Sequence, residues 1–198
     1  RAPAALGPGQ LAAGEFVMTT KPSVALHHVG IWATDFDMMV ALYRRIFGFH
    51  MSDQGNYDPD RRVAFLTLDP ASHHTFVIGK GRAKGSISTI NQISFRADGL
   101  AGVRAYWEVI EAEEMIPRFE IRTHGNAWSL YFWDPEGNRV EVFADTPWHV
   151  AQPFSNPVDF AMTDDEIMAM TEELVNADAT HRPFDDWRAD TAKALSGK

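Results

Sequence analysis

Hydrophobic positions along this chain recur with two different periods, and the periods alternate in a fixed order. From Val24 to Ala33 the segment VALHHVGIWA is β-rich, and Val24, Leu26, His28, Gly30 and Trp32 fall on one face by alternation. Thr34-Asp35-Phe36-Asp37 then offers a hydroxyl and carboxylates of the kind that cap a helix and suit its N-terminal dipole. Met39, Leu42, Tyr43, Ile46 and Phe47 follow at helical spacing, and Gly48 closes the run. Three strands are predicted next, over Phe49 to Asp53, Arg62 to Leu68 and His74 to Gly79. Polar Gln54 to Arg61, which contains Pro59, reads as a loop.

The same order then returns. Ile90 to Ala97 reads as a strand, and Leu100 to Met115 as a helix with Val103, Trp107, Ile110 and Met115 along one side. Phe119 to Arg122, Ala127 to Phe132 and Arg139 to Phe143 are three more strands, the last two joined by the turn signal Asp134-Pro135-Glu136-Gly137-Asn138. HVGIWA (His28 to Ala33) and QISFRA (Gln92 to Ala97) match in pattern, so strand, helix and three strands make an internal repeat of roughly 60 residues. The expected fold is α+β: two tandem βαβββ modules over 24–80 and 88–145, followed by a C-terminal helical extension over 146–198. In the extension, Thr163-Asp164-Asp165-Glu166 is a capping box before Ile167, Met170, Leu174 and Val175, and 183–195 reads as a further helix. This tail is expected to pack on the core or on a second subunit. Residues 1–17, rich in Ala, Gly and Pro, read as a leader with Met18 as the natural start.

Composition narrows the chemistry. A net charge of −9 without a basic stripe argues against a nucleic-acid partner. No apolar run approaches the ~20 residues a membrane-spanning helix needs. Cysteine is absent, which removes disulfides, thiolate ligands and a cysteine nucleophile and suits a cytoplasmic protein. Any metal must therefore be held by imidazole, carboxylate or amide groups, and the chain has eight histidines, including two His-His pairs.

Glu141 stands in the middle of an otherwise apolar strand, where a carboxylate is costly to bury unless something pairs with it. Arg139, two residues back, shares its side-chain parity, and a surface ion pair is the structural explanation. His28 lies in the first strand of the first module, and the repeat puts Gln92 at the equivalent place in the second. If the halves pair with their first strands near a pseudo-twofold axis, His28, Gln92 and Glu141 converge in one cavity. Imidazole plus carboxylate with open positions suits Fe(II) or Mn(II).

The string LYFWDPEGNRVEVF (Leu130 to Phe143), with HHVGI (His27 to Ile31), HHTF (His73 to Phe76) and His124-Gly125-Asn126, resembles the type I extradiol ring-cleaving dioxygenases. These belong to the glyoxalase, bleomycin-resistance and dioxygenase superfamily, whose fold is termed vicinal oxygen chelate. The resemblance covers Val24 to Asp145. It implies His28 and Glu141 as metal ligands. The family's second histidine position falls on Gln92, whose neutral amide oxygen is a weaker donor but ligates in related glyoxalases and epimerases. The resemblance further implies His74 as the acid–base histidine, His124 and Asn126 as a His-x-Asn pair near the substrate, and Tyr131 as a contact to a catechol oxygen. His27 and His73 flank these positions and, by strand parity, point the other way. The implied reaction is extradiol cleavage of a catecholic ring by O2 with Fe(II), or with Mn(II) or another divalent ion, in a homo-oligomer.

Two rival readings keep the fold. A glyoxalase- or epimerase-like lyase or isomerase is favoured by Gln92. It is opposed by Thr75, Phe76, Val77 and Ile78, which supply no fourth ligand where those enzymes have one. A small-molecule-binding or resistance protein would use the same cavity without turnover.

Overall fold

The helices of the repeat form where helical spacing places them, and the strands follow the alternation except at the start of β1 and along the outer half of β2. The computed structural model describes residues 24–58 and 60–196, so the expected leader lies outside the described residues. The first module runs β1 (Val29–Ala33), α1 (Phe36–Phe47), β2 (His50–Asp58), β3 (Arg61–Thr67) and β4 (Phe76–Lys80). The second runs β5 (Ile93–Arg96), α2 (Gly99–Glu111), β6 (Phe119–Thr123), β7 (Ala127–Trp133) and β8 (Arg139–Asp145). The extension adds β9 (Trp148–His149), β10 (Asn156–Pro157), α3 (Asp164–Asn176), β11 (Arg182–Pro183) and α4 (Phe184–Ser196). Among the described residues no helix is long and apolar enough to cross a membrane.

Asp35 caps α1 by accepting from the Met38 amide at 3.1 Å, and Gly48 ends it at φ +74°, a left-handed turn that glycine adopts without strain. The capping box of α3 is present as read, with Thr163 and Glu166 satisfying each other's backbone amides.

Two features depart from the expectations. The strand expected from Val24 starts only at Val29, because its parallel partner β4 begins at Phe76 and nothing before that offers a ladder. The expected loop from Gln54 is instead the outer half of β2, paired with β3 at Gln54↔Ala64, Gly55↔Val63 and Asn56↔Arg62. It is an edge strand whose residues from Asp53 to Tyr57 are exposed, so no alternation marks it.

The sheets are ordered β1-β4-β3-β2 and β10-β6-β7-β8-β5, so each module repeats the same strand order and β10 extends the second. In the first sheet Ile31, Ala33, Ala64, Leu66, Phe76 and Ile78 form a buried inner face, while Gly30 and Trp32 point the other way. In the second sheet Ile93, Leu130, Phe132, Val140 and Val142 make the buried inner face. Helix α1 touches both inner faces. Tyr43 stacks on Phe76 at 4.9 Å, and Phe47 stacks on Phe95 at 4.1 Å and meets Phe132 at 6.4 Å. The modules thus share one core through α1, and their opposite faces turn away from each other.

The turn between β7 and β8 fastens this arrangement. Glu136 accepts from the backbone amides of Thr34 at 2.8 and 2.9 Å and of Asp35 at 2.7 Å, a carboxylate set at the N-terminus of α1. Buried Asp134 accepts from the Tyr43 hydroxyl at 3.0 Å and from the Asn138 side chain at 2.8 Å. Burial and the neighbouring carboxylates push the Tyr43 phenol well above its ordinary value.

Candidate functional site

The alternation of β5, β7 and β8 puts Ser94, Tyr131 and Glu141 in register on the outer face of the second sheet, as Ser94↔Glu141 and Tyr131↔Glu141. They line a cleft of about 380 Å³ together with His124, Asn126 and Gln152. Glu141 is only 7% exposed, and its Oε2 accepts from Gln92 Nε2 at 2.7 Å and from Ser94 Oγ at 2.5 Å. Among the described residues no cationic group pairs with it. Arg139, which the structural explanation would pair with it, instead lays its guanidinium over the Tyr131 ring at 3.8 Å. A largely buried carboxylate among neutral donors keeps a negative charge that a cation would complement.

Tyr131 and His124 complete this half. His124 Nε2 lies 2.9 Å from the Tyr131 hydroxyl, and its Nδ1 lies 2.8 Å from the Phe154 carbonyl oxygen. Burial, with the Glu141 carboxylate beside it, pushes the Tyr131 phenol up to about 12. It remains a hydrogen-bond donor at neutral pH.

His28 and His74 lie elsewhere. Their rings approach to 4.5 Å, and His74 meets Phe65 at 5.1 Å, on the outer face of the first sheet, the face that further along β1 carries Trp32, 60% exposed. His27 Nδ1 lies 3.3 Å from His28 Nδ1, and His73 Nδ1 lies 3.0 Å from His74 Nδ1, so the two His-His pairs make one cluster. The parity expected to turn His27 and His73 away does not operate, because all four residues precede their strands. Burial and the imidazoles of His28, His73 and His27 hold His74 below its ordinary value.

Gln92, Glu141, Tyr131, His124 and Asn126 are therefore brought to one place, and His28 and His74 to another. All described residues lining the Glu141 cleft belong to Ser94 and beyond, and no three His, Asp or Glu side chains among the described residues cluster to hold a metal. The convergence of His28 with Glu141 does not occur within one chain, since α1 fills the space between the inner faces of their sheets. Of the aromatic groups near these sites, Phe95 and Trp128 pack in the core, Trp128 donating to Thr171 Oγ1 at 3.0 Å.

Three site residues escaped the sequence. Ser94 had a signal, since it shares the parity of Gln92. Gln152 and the Phe154 carbonyl come from the extension and had none.

A repeated βαβββ unit with polar clusters on the outer faces of both sheets points to a recognisable class. Residues 25–142 match the family model described as Glyoxalase/Bleomycin resistance protein/Dioxygenase superfamily, and the chain belongs to that family. It is 26% identical over 132 residues to biphenyl-2,3-diol 1,2-dioxygenase 2 of Rhodococcus globerulus, a stretch covering 65% of each chain. It is 29% identical over 136 residues to metapyrocatechase of Pseudomonas sp. (strain CF600), covering 61% of this chain and 39% of that one. The chain spans less than two thirds of the length of either relative. A glyoxylase/bleomycin resistance protein/dioxygenase domain from Frankia sp. EAN1pec has the same fold, with a TM-score of 0.54 and 15% identity over 63% of this chain and 100% of that one.

Proposed function

We propose that this protein is a metal-dependent extradiol dioxygenase acting on catecholic rings with O2, and that two copies of the chain build each site. The observation that carries this reading is the buried carboxylate of Glu141, which accepts from Gln92 and Ser94 beside Tyr131 and pairs with no cationic side chain among the described residues. The donor chemistry fits a divalent ion if the half-sites meet. One half offers imidazole from His28, and the other offers a carboxylate and an amide. Each lacks what the other carries. Trp32, exposed on the face that bears the histidines, gives that face an apolar surface to bury against a second copy. The metal ligands in this reading are His28 of one copy with Gln92 and Glu141 of the other. Gln92 would then turn its amide so that oxygen, rather than the Nε2 now facing Glu141, meets the ion.

Bound Fe(II), or Mn(II), would supply a Lewis-acidic, redox-active centre that favours the deprotonated catechol. His74, held neutral near pH 7, would accept a proton from a substrate hydroxyl and return it later. Tyr131, kept a phenol, would turn its hydroxyl proton from His124 Nε2 to an oxygen of the ring substrate as charge develops on it. Asn126 would orient the ring from the rim of the cleft.

The test is anaerobic purification, elemental analysis for bound metal, and oxygen uptake with a panel of catechols at equal metal loading. Iron-dependent uptake with a yellow ring-opened product is expected. Metal-loaded protein that consumes no oxygen with any catechol would favour the second reading, a lyase or isomerase, for which the amide of Gln92 is the supporting feature.

A further inference from the structure

The C-terminal extension reaches the cleft through residues 150–154. Gln152 lines the cleft, and its side chain bridges two backbone segments. Its Nε2 donates to the His124 carbonyl at 2.8 Å, and its Oε1 accepts from the Phe154 amide at 3.0 Å. The His124 side chain closes the same loop from within, with Nδ1 at 2.8 Å from the Phe154 carbonyl oxygen. A carbonyl oxygen only accepts, so Nδ1 carries the proton. In the neutral ring Nε2 is then the acceptor, and the Tyr131 hydroxyl at 2.9 Å donates to it.

We infer that the extension fixes His124 in its Nδ1–H tautomer, with Gln152 as the positioning residue, so that the histidine meets the cleft as a hydrogen-bond acceptor. Free imidazole side chains favour the opposite tautomer, and the surroundings must impose this one. They are built to do so. The turn carrying His124 is pressed against the extension: a Cβ at Gly125 would lie 2.5 Å from Val150 Cγ2 and 3.3 Å from Phe154 Cδ1. The segment is also anchored from its far side, where the Ala151 amide donates to Thr180 Oγ1 at 2.8 Å. Docking of the extension does not depend on Gln152, which is exposed. Arg104 bonds the carbonyls of Phe160 at 2.6 Å and Met162 at 2.8 Å and the Asp164 carboxylate at 2.8 Å. Removing the Gln152 side chain should therefore free the Phe154 peptide without unfolding the tail.

The inference rests on the proposed function only in taking this cleft as the site, and its readout needs no turnover. Long-range 1H–15N correlation spectra of the 15N-labelled full-length chain, without and with diamagnetic Zn(II), report the imidazole tautomer. They would be recorded near pH 8.5, about two units above the ordinary histidine value, with His124→Gln assigning the resonance. The expected result is Nδ1–H for His124 in the wild type and a shift toward Nε2–H in Gln152→Ala, at an unchanged melting temperature. Nε2–H in the wild type would overturn the inference. So would an unshifted tautomer in Gln152→Ala, including one that melts lower, since Gln152 would then be only structural. Absence of oxygen uptake would count against the dioxygenase and leave the tautomer result standing.

Discussion

Phe47 of α1 and Phe95 of β5 stack with ring centroids 4.1 Å apart, which ties the helix of the first module to the inner face of the second sheet. With α1 packed on both inner faces, His28 and Glu141 lie on the outer sides of their sheets. Phe47 is 7% exposed and also meets Phe49 at 6.1 Å and Tyr106 at 5.7 Å. Phe47→Ala should lower the unfolding free energy by about 3–5 kcal/mol, read from urea denaturation at unchanged m-value. A loss below about 1 kcal/mol would mean that the modules do not share this core.

Glu141→Gln separates a metal-binding role from a structural one. The neutral isostere keeps an oxygen for Gln92 and Ser94 and removes a buried charge that no cationic side chain among the described residues offsets. Metal-free protein should therefore hold its stability within about 1 kcal/mol or gain slightly, while metal affinity falls more than about tenfold. Unchanged metal content with a marked loss of stability would make Glu141 a structural residue.

His74 gives a pH dependence of definite sign. Burial first, and then the neighbouring imidazoles, lower its folded-state value below that of the unfolded chain. Between the two values the unfolded state binds more protons, so His74's contribution is present above the unfolded value, about 6.5, and is lost as pH falls through the folded one. An NMR titration should show His74 with a midpoint below the ordinary value. His28→Ala should move that midpoint upward but not fully back, because the burial contribution remains.

Gly125 separates His124 from Asn126 at φ +72°, with Val150 Cγ2 2.5 Å from where a Cβ would stand. Gly125→Ala should cost roughly 2–4 kcal/mol from left-handed strain and overpacking together. Thermal melting checks this, and an unshifted melting temperature would show that the extension does not press on the turn.

Much of this molecule is legible in its residues, for reasons that differ by element. The order of strands and helices follows from alternation and helical spacing, and the α3 cap from Thr163 and Glu166. Glu141 is marked by its charge in an apolar strand and Gln92 by the repeat, while Tyr131 is reached only through the family resemblance. The outer half of β2 is not legible, since an edge strand exposed along Asp53 to Tyr57 has no alternation to read. Nor is the separation of His28 from Glu141, which depends on how α1 packs against both sheets. Asp134 and Glu136 read only as turn residues, yet they bond Tyr43 and the start of α1 across 91 and 102 positions of sequence. Gln152 likewise has no local mark of its role.

The most direct measurement of the central claim is complementation between two inactive variants. His28→Ala and Glu141→Ala each remove one half of every site, so neither alone should hold metal. If a site is built from two copies in a symmetric dimer, mixing the variants by co-refolding gives mixed dimers in which one of the two sites is intact. Elemental analysis should then find about a quarter of the wild-type metal content in a statistical mixture. Metal content that stays at the level of the separate variants, in a mixture shown to contain mixed dimers, would contradict a site shared between copies.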